Sequence, residues 1–258
     1  MSALVDLSGK KGLIVGMANK DSIAYGCARQ CKAVGAQIAA TYLNAKAEQY
    51  VRPLAEEVGA EIFLPCDVLV PGQLETVFEA VDKQWGRLDF LIHSIAFSPL
   101  KDLHGRVIDC SLEGFQLAMD VSCHSFMRMA KLAEPLMNDG GALINMSYYG
   151  AEKVIPNYNM MGPVKAALEC ATRYMAMELA EKRIRALVVS PGPILTRAAS
   201  GIKGFDALYD AALYKVPHYK ELDIDEIGKV TAFLVSDAAR SLNGYTYYVD
   251  HGLSLIGI

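Results

Sequence analysis

Small and polar residues recur where short apolar runs end, and their types suit the parts of a dinucleotide. The run GLIVG leads into Gly16, Ser22 and Gly26 and then an apolar helical stretch. Gly16 permits a tight turn, Ser22 can cap a helix or bind phosphate, and Gly26 allows close helix–strand approach. A pyrophosphate there would lie at a helix N-terminus. The spacing Gly16-x9-Gly26 is not GxGxxG, and a plain strand–turn–helix joint would read much the same. Further along, Asp67 in Cys66-Asp67-Val68 could accept a hydrogen bond from an adenine amino group. In His93-Ser94-Ile95-Ala96-Phe97-Ser98, Ser94 and Ala96 are small enough for a ribose to approach. The main chain of Ser190-Pro191-Gly192-Pro193-Ile194-Leu195-Thr196 could meet a carboxamide. Their recurrence in this order points to a dinucleotide site.

A second constellation pairs a phenol with an ammonium group. Tyr158 precedes Lys165 by seven positions, and Tyr148 lies seventeen before the same lysine. On a continuous helix, seven residues at about 100° each bring two side chains within about 20° of one face, two turns apart. Pro163 falls inside that stretch and removes a backbone donor, so the helix either kinks or starts late.

These residues need elements to hold them. Short β-branched runs at Gly12–Val15, Gln37–Thr41, Glu61–Leu64, Leu88–His93, Ala142–Met146, Arg185–Ser190 and Tyr245–Val249 read as strands. Between them, Ser22–Val34, Ala45–Val58, Pro71–Trp85, Leu112–Met137, Asn157–Glu181 and Ile224–Ser236 read as helices. The alternation predicts a single-domain α/β fold spanning residues 1–258: a Rossmann-like, doubly wound parallel sheet of about seven strands with helices on both faces. Ligands of such sheets bind beyond the carboxyl ends of the strands. The stretch 195–219 has no strong periodicity and reads as a lid or binding loop.

Composition narrows the function classes. The chain has 258 residues, 52% of them hydrophobic, and a net charge of −4. It has ample material for a core and no global positive field to draw nucleic acid or an anionic membrane. Neither a signal-peptide core nor a membrane span is evident, so a cytoplasmic location is expected. The six cysteines lack metal-ligand spacing and are expected to be reduced and buried, with no metal site.

With Gly16-x5-Ser22-Ile23, Asp67-Val68, His93-Ser94-Ile95, Ser147-Tyr148, Pro156-Asn157-Tyr158-Asn159, Lys165, Pro191-Gly192-Pro193-Ile194, Thr196 and Ala199-Ser200-Gly201-Ile202-Lys203, the chain resembles the short-chain dehydrogenase/reductase superfamily over nearly its whole length. The usual YxxxK would need a tyrosine at Met161; YxxxxxxK is instead the spacing of the bacterial enoyl-acyl-carrier-protein reductases. This resemblance implies hydride transfer to the β-carbon of a trans-2-enoyl thioester in fatty acid biosynthesis. Tyr158 would donate to the carbonyl oxygen, Lys165 would bind the nicotinamide ribose, and Tyr148 would be the second active-site tyrosine. Cofactor contacts would come from Gly16, Ser22, Ile23, Leu43, Asp67, Val68, Ser94, Ile95, Ala96, Lys165, Ile194, Thr196 and Ala198. Substrate contacts would come from Ser98, Tyr148, Tyr158, Ala199, Ile202 and Phe205. The partners implied are an acyl carrier protein, meeting a local basic patch that includes Arg197, Lys203 and Lys215, and further copies of the chain in a homotetramer.

Two departures stand out. Thr41-Tyr42-Leu43-Asn44 has no acid to hold the ribose 2′-hydroxyl of NAD and no arginine for the phosphate of NADP; Lys46 is the nearest cation. The lack of a strong phosphate receptor favours NADH and leaves NADPH open. His251 stands in place of a glycine of the superfamily's VDGG. The enzymatic rival is a ketoreductase or alcohol dehydrogenase of the same fold, disfavoured by Met161; the non-enzymatic rival is a dinucleotide-binding regulator.

Overall fold

The computed structural model describes residues 4–196, 199–216, 218, 220 and 222–256. Seven strands form one sheet: β1 (Lys11–Val15), β2 (Gln37–Tyr42), β3 (Ile62–Pro65), β4 (Phe90–His93), β5 (Gly141–Met146), β6 (Ile184–Pro191) and β7 (Thr246–Val249). Every adjacent pair is parallel, in the order β3-β2-β1-β4-β5-β6-β7. The order reverses between β1 and β4, the switch point beyond which ligands bind in sheets of this kind.

Each face of the sheet carries its own apolar layer. Helices α1 (Ile23–Ala33), α2 (Ala45–Glu57) and α9 (Ile224–Val235) cover Ile14, Ile38, Ile92 and Ile144. Helices α3 (Gln73–Trp85), α5 (Leu112–Met119), α6 (Ser125–Ala133) and α7 (Met161–Glu178) cover Leu13, Ala39, Leu91 and Leu143. Strands buried on both faces are continuous apolar runs, which is why the sequence located them to within about two residues. Two short helical segments, α4 (Leu100–Leu103) and α8 (Phe205–Lys215), complete the chain's helices among the described residues.

Three expectations need correction. The single helix predicted over Leu112–Met137 is broken by a π-helical turn at Asp120–His124, where the Ser125 hydroxyl donates to the Val121 carbonyl at 2.7 Å. The stretch 195–219 is not irregular throughout, because α8 occupies eleven of its residues. Helix α7 begins at Met161, four residues later than predicted. Pro163 therefore sits in its first turn, where a backbone N–H would have no partner in the helix, and it neither kinks nor breaks it. Among the cysteines, all six are free thiols, but Cys170 is exposed and Cys110 only half-buried. His251 takes a left-handed φ of 52° in the turn after β7, a conformation that glycine adopts without steric cost.

Helix α1 is held by two glycines facing each other across its contact with α9. A Cβ on Gly26 would lie 2.2 Å from the Ile224 carbonyl oxygen, and one on Gly228 would lie 2.5 Å from the Gly26 carbonyl oxygen. Backbone blocks both, so no side-chain rotation relieves the clash. Gly26→Ala is expected to lower the unfolding free energy by about 1–3 kcal/mol, read from the urea midpoint. An unchanged midpoint would show that the two helices are not locked at this contact.

Candidate active site

The expected cofactor residues gather at the carboxyl edge of the sheet. Gly16 leaves β1 with φ 115°, and a Cβ there would lie 2.2 Å from the Ser94 carbonyl oxygen. The two loops that flank the switch point thus touch through their backbones, and only glycine allows it. Ser22 stands at the N-cap of α1, but its hydroxyl donates to the Asn19 carbonyl at 2.6 Å and makes no cap bond. No acidic residue occupies the first turn of α1. A helix start with this polarity and no carboxylate in its first turn suits an anion. A pyrophosphate therefore fits the residues present.

Beyond β4, Ser94 and Ile95 are half-buried and Ala96 is exposed. The loop is fastened from below by a residue the sequence reading did not single out. The π-helical turn directs Ser122 at Phe97, whose N–H donates to the Ser122 hydroxyl oxygen at 2.9 Å while the hydroxyl returns a 3.2 Å bond to the Phe97 carbonyl. His93 is fully buried and its Nε2 lies 2.7 Å from the Ser125 hydroxyl. Burial holds its imidazole down to about 3, so it is neutral and serves as a structural link.

The other expected contacts are placed less uniformly. Ile23 opens α1 half-buried, and Leu43 is exposed after β2. The Asp67 carboxylate accepts from the Leu69 N–H at 3.0 Å. Val68 packs its side chain in the core, and its carbonyl accepts from Arg128 at 3.0 Å. Ile194 packs in the core, and the Thr196 hydroxyl accepts from the Ala199 N–H at 3.1 Å. Ala198 and Arg197 lie outside the described residues. Ser98 is half-buried beside Pro99.

Tyr148 and Tyr158 meet edge to face, with ring centroids 5.0 Å apart at 73°. Tyr149 meets Tyr148 at the same separation and 83°. Gly150 makes room for them: a Cβ there would lie 2.6 Å from Tyr158 Cδ1 and 3.2 Å from Tyr148 Cδ1. Tyr158 is 8% exposed in an apolar cluster with Leu103, Ile155, Met160 and Val164, against which Ile202 and Leu208 also pack. Ala199 and Phe205 are buried nearby in sequence.

The helical argument for Tyr158 and Lys165 is overturned. Tyr158 precedes α7, in a turn whose Asn157 and Asn159 have left-handed φ values of 62° and 37°. Their seven-residue separation therefore spans this turn and the first helical turns, not two turns of a continuous helix. Asparagine tolerates the left-handed region better than most residues, which is why the turn can form at NYN.

Lys165 is buried, and its ammonium donates to the Met146 carbonyl at the end of β5 at 2.6 Å. One helical turn on, buried Glu169 accepts from the Ser147 hydroxyl at 2.5 Å and from Thr246 at 3.3 Å. The sequence reading missed Glu169, although an acid four residues from Lys165 on an otherwise apolar face was the available signal. Burial lowers the lysine to about 8, opposed by the Glu169 and Cys123 charges. Burial, with the Glu169 charge added, pushes the Tyr158 phenol above its ordinary range. At neutral pH Tyr158 is a neutral donor and Lys165 a largely protonated cation. A neutral donor and a cation are the groups that stabilise an anionic oxygen as it forms.

The family model for "Enoyl-(Acyl carrier protein) reductase" matches residues 16–254. The chain belongs to that family. It is 41% identical over 252 residues to "Enoyl-[acyl-carrier-protein] reductase [NADH] 1" of Rhizobium meliloti (strain 1021), covering 98% of this chain and 93% of that one. The crystal structure of the Anaplasma phagocytophilum enoyl-(acyl-carrier-protein) reductase in complex with NAD superposes with a TM-score of 0.93 at 41% identity, covering 100% of this chain and 98% of that one. The Bacillus cereus enoyl-acyl carrier protein reductase with NADP+ and an indole naphthyridinone gives 0.94 at 35% identity, covering 98% and 99%. The family's reaction sets this chain apart from the ketoreductase and regulator readings.

The buried lysine makes a stability prediction. Its value rises from about 8 in the fold to an ordinary 10.5 on unfolding, so between these limits the unfolded chain binds the extra proton and stability rises with pH. Relative to Lys165→Met, the native protein should gain on the order of 1–3 kcal/mol between about pH 8 and 10, measured by urea unfolding. Parallel pH profiles for the two proteins would show that Lys165 is not held in a low-dielectric site.

Proposed function

We propose that this protein reduces the trans-2 double bond of an enoyl thioester with NADH, in fatty acid biosynthesis. The observation that carries the reading is the buried Tyr158 ring together with the buried Lys165 ammonium, bonded at the carboxyl end of β5, in a chain of the enoyl reductase family. Bound NADH supplies the hydride. The β-carbon receives it, the π electrons move toward the thioester oxygen, and a proton completes the product at the α-carbon.

The protein's task is to stabilise the oxygen while it carries charge. Tyr158 donates its phenolic hydrogen bond there, a preorganised donor of the kind worth about 2.7–4 kcal/mol. Lys165 binds the nicotinamide ribose and keeps a positive charge near the phenol, strengthened by the low dielectric around it. Tyr148 shapes the acyl pocket by fixing the ring of Tyr158 edge-on. Gly16, Ser22 and Ile23 would hold the pyrophosphate, Leu43, Asp67 and Val68 would border the adenosine, and Ser94, Ile95, Ala96, Ile194 and Thr196 would border the nicotinamide half. Ser98, Ala199, Ile202 and Phe205 face the acyl chain, in a single catalytic domain whose 195–219 segment forms the lid.

NADH is supported over NADPH by the chain after β2. Leu43 and Asn44 are exposed there, and Asn44 spends its side-chain oxygen capping α2 through the Ala47 N–H at 3.1 Å. The acyl substrate arrives on an acyl carrier protein, with Lys203 and Lys215 exposed on the lid to meet its acidic surface. A homotetramer is supported by Leu112, Phe115, Met127, Tyr174 and Met177, large apolar side chains exposed on α5, α6 and α7. Among the described residues no helix is long and apolar enough to cross a membrane. The enzyme's place is the cytoplasm.

NADH oxidation with crotonyl and acetoacetyl thioesters tests the reaction: the crotonyl thioester should be used and the acetoacetyl thioester left, and the reverse preference would contradict the assignment. Tyr158→Phe should lower kcat by roughly 100-fold or more and leave NADH affinity within a few-fold. A wild-type rate in that variant would take Tyr158 out of the mechanism. Sedimentation should give four copies per particle, and a monomer would refute the tetramer.

A further inference from the structure

Tyr158 stands on the most constrained turn of the site. Both of its neighbours have left-handed backbones, Asn157 at φ 62° and Asn159 at 37°. Their side chains reach in different directions for main-chain carbonyls. The Asn159 amide donates to the Leu103 carbonyl at the end of α4 at 2.6 Å. The Asn157 amide donates to the Lys203 carbonyl, in the segment leading into α8, at 2.7 Å. Because both partners are carbonyl oxygens, only the amide nitrogens can make these bonds.

The two walls are also joined directly to each other, where His104 Nε2 lies 2.8 Å from the Gly201 carbonyl oxygen. Gly204 then starts α8 with φ 74°, and a Cβ on it would lie 3.7 Å from the Asn157 amide nitrogen. Ile202 and Leu208, on either side of this contact, pack against the apolar cluster that contains Tyr158. The segment that would feel an acyl chain is therefore hydrogen-bonded to the residue next to the phenol. The Lys203 side chain is exposed, so the bond depends on its main chain alone.

We propose that Asn157 is a positioning residue that couples the segment 199–208 to Tyr158, so that seating of a long acyl chain against that segment sets the phenol in place. The proposal rests on the reading of Tyr158 as the donor to the thioester oxygen. Its consequence is selective: a short chain barely reaches Ile202 and Leu208 and gains little from the tether, whereas a long chain depends on it.

The decisive variant is Asn157→Gly, which keeps the left-handed backbone and removes the amide. Asn157→Asp serves as the second, since a carboxylate turned toward the Lys203 carbonyl cannot donate. Activity is measured with crotonyl- and dodecenoyl-coenzyme A, alongside NADH affinity by fluorescence, thermal midpoint and amide exchange over 199–208. Both variants should lose about tenfold in kcat/KM on the dodecenoyl substrate, the equivalent of one hydrogen bond. The crotonyl rate should stay within about threefold, NADH affinity and the midpoint should hold, and exchange over 199–208 should speed up. Equal losses on the two substrates, a loss that tracks a fallen midpoint, or no loss on either would overturn the proposal. A native protein inert toward both thioesters would instead remove the reading beneath it, and the coupling with it.

Discussion

An ammonium group held away from water is the interaction around which this site is organised. Isolated burial of such a charge costs several kcal/mol even after relaxation. Lys165 meets that cost with a short bond to the Met146 carbonyl and with the Glu169 carboxylate one turn along α7. Glu169 is itself fixed by Ser147 and Thr246, from the end of β5 and from β7. The low-dielectric surroundings that weaken the lysine's hold on its proton also keep the Tyr158 phenol protonated. One environment thus sets both protonation states, and each suits a role beside a developing anion.

The surrounding elements limit how far these groups can move. The loops after β1 and β4 touch at Gly16 and Ser94, and the π-helical turn grips the second loop through Ser122. Helix α1 is pressed onto α9 at Gly26, so its N-terminus is set relative to the crevice. Tyr158 is fixed differently. Two further aromatic rings, a glycine that leaves space for them, and two asparagine amides locate it from a turn outside regular structure.

The strands and their order of use were legible because parallel strands covered on both faces have no polar side to interrupt them. Gly16, Ser94 and Ala96 were legible as strand-end residues for the same reason, since each follows a readable run, whereas Tyr158 and Lys165 were singled out by their seven-residue spacing. The π-helical turn was hidden inside a continuous apolar pattern, and the Ser122 contact with it. Helix α8, FDALYDAALYK, buries only Phe205 and Ala212 and has no clean apolar stripe, so it read as a loop. The start of α7 was misplaced because Asn157 and Asn159 were treated as helical residues, although turn chemistry favours asparagine in the left-handed region. Glu169 belongs to no motif, and only the fold puts Ser147 and Thr246 against it.

The path of the hydride tests this account most directly. The native protein, given NADH carrying deuterium at both C4 positions and crotonyl-coenzyme A in ordinary water, should yield butyryl-coenzyme A with deuterium at the β-carbon and solvent hydrogen at the α-carbon, located by NMR. Deuterium at the α-carbon or on a carbinol carbon, or a product without label, would contradict a site built to hold charge on the thioester oxygen.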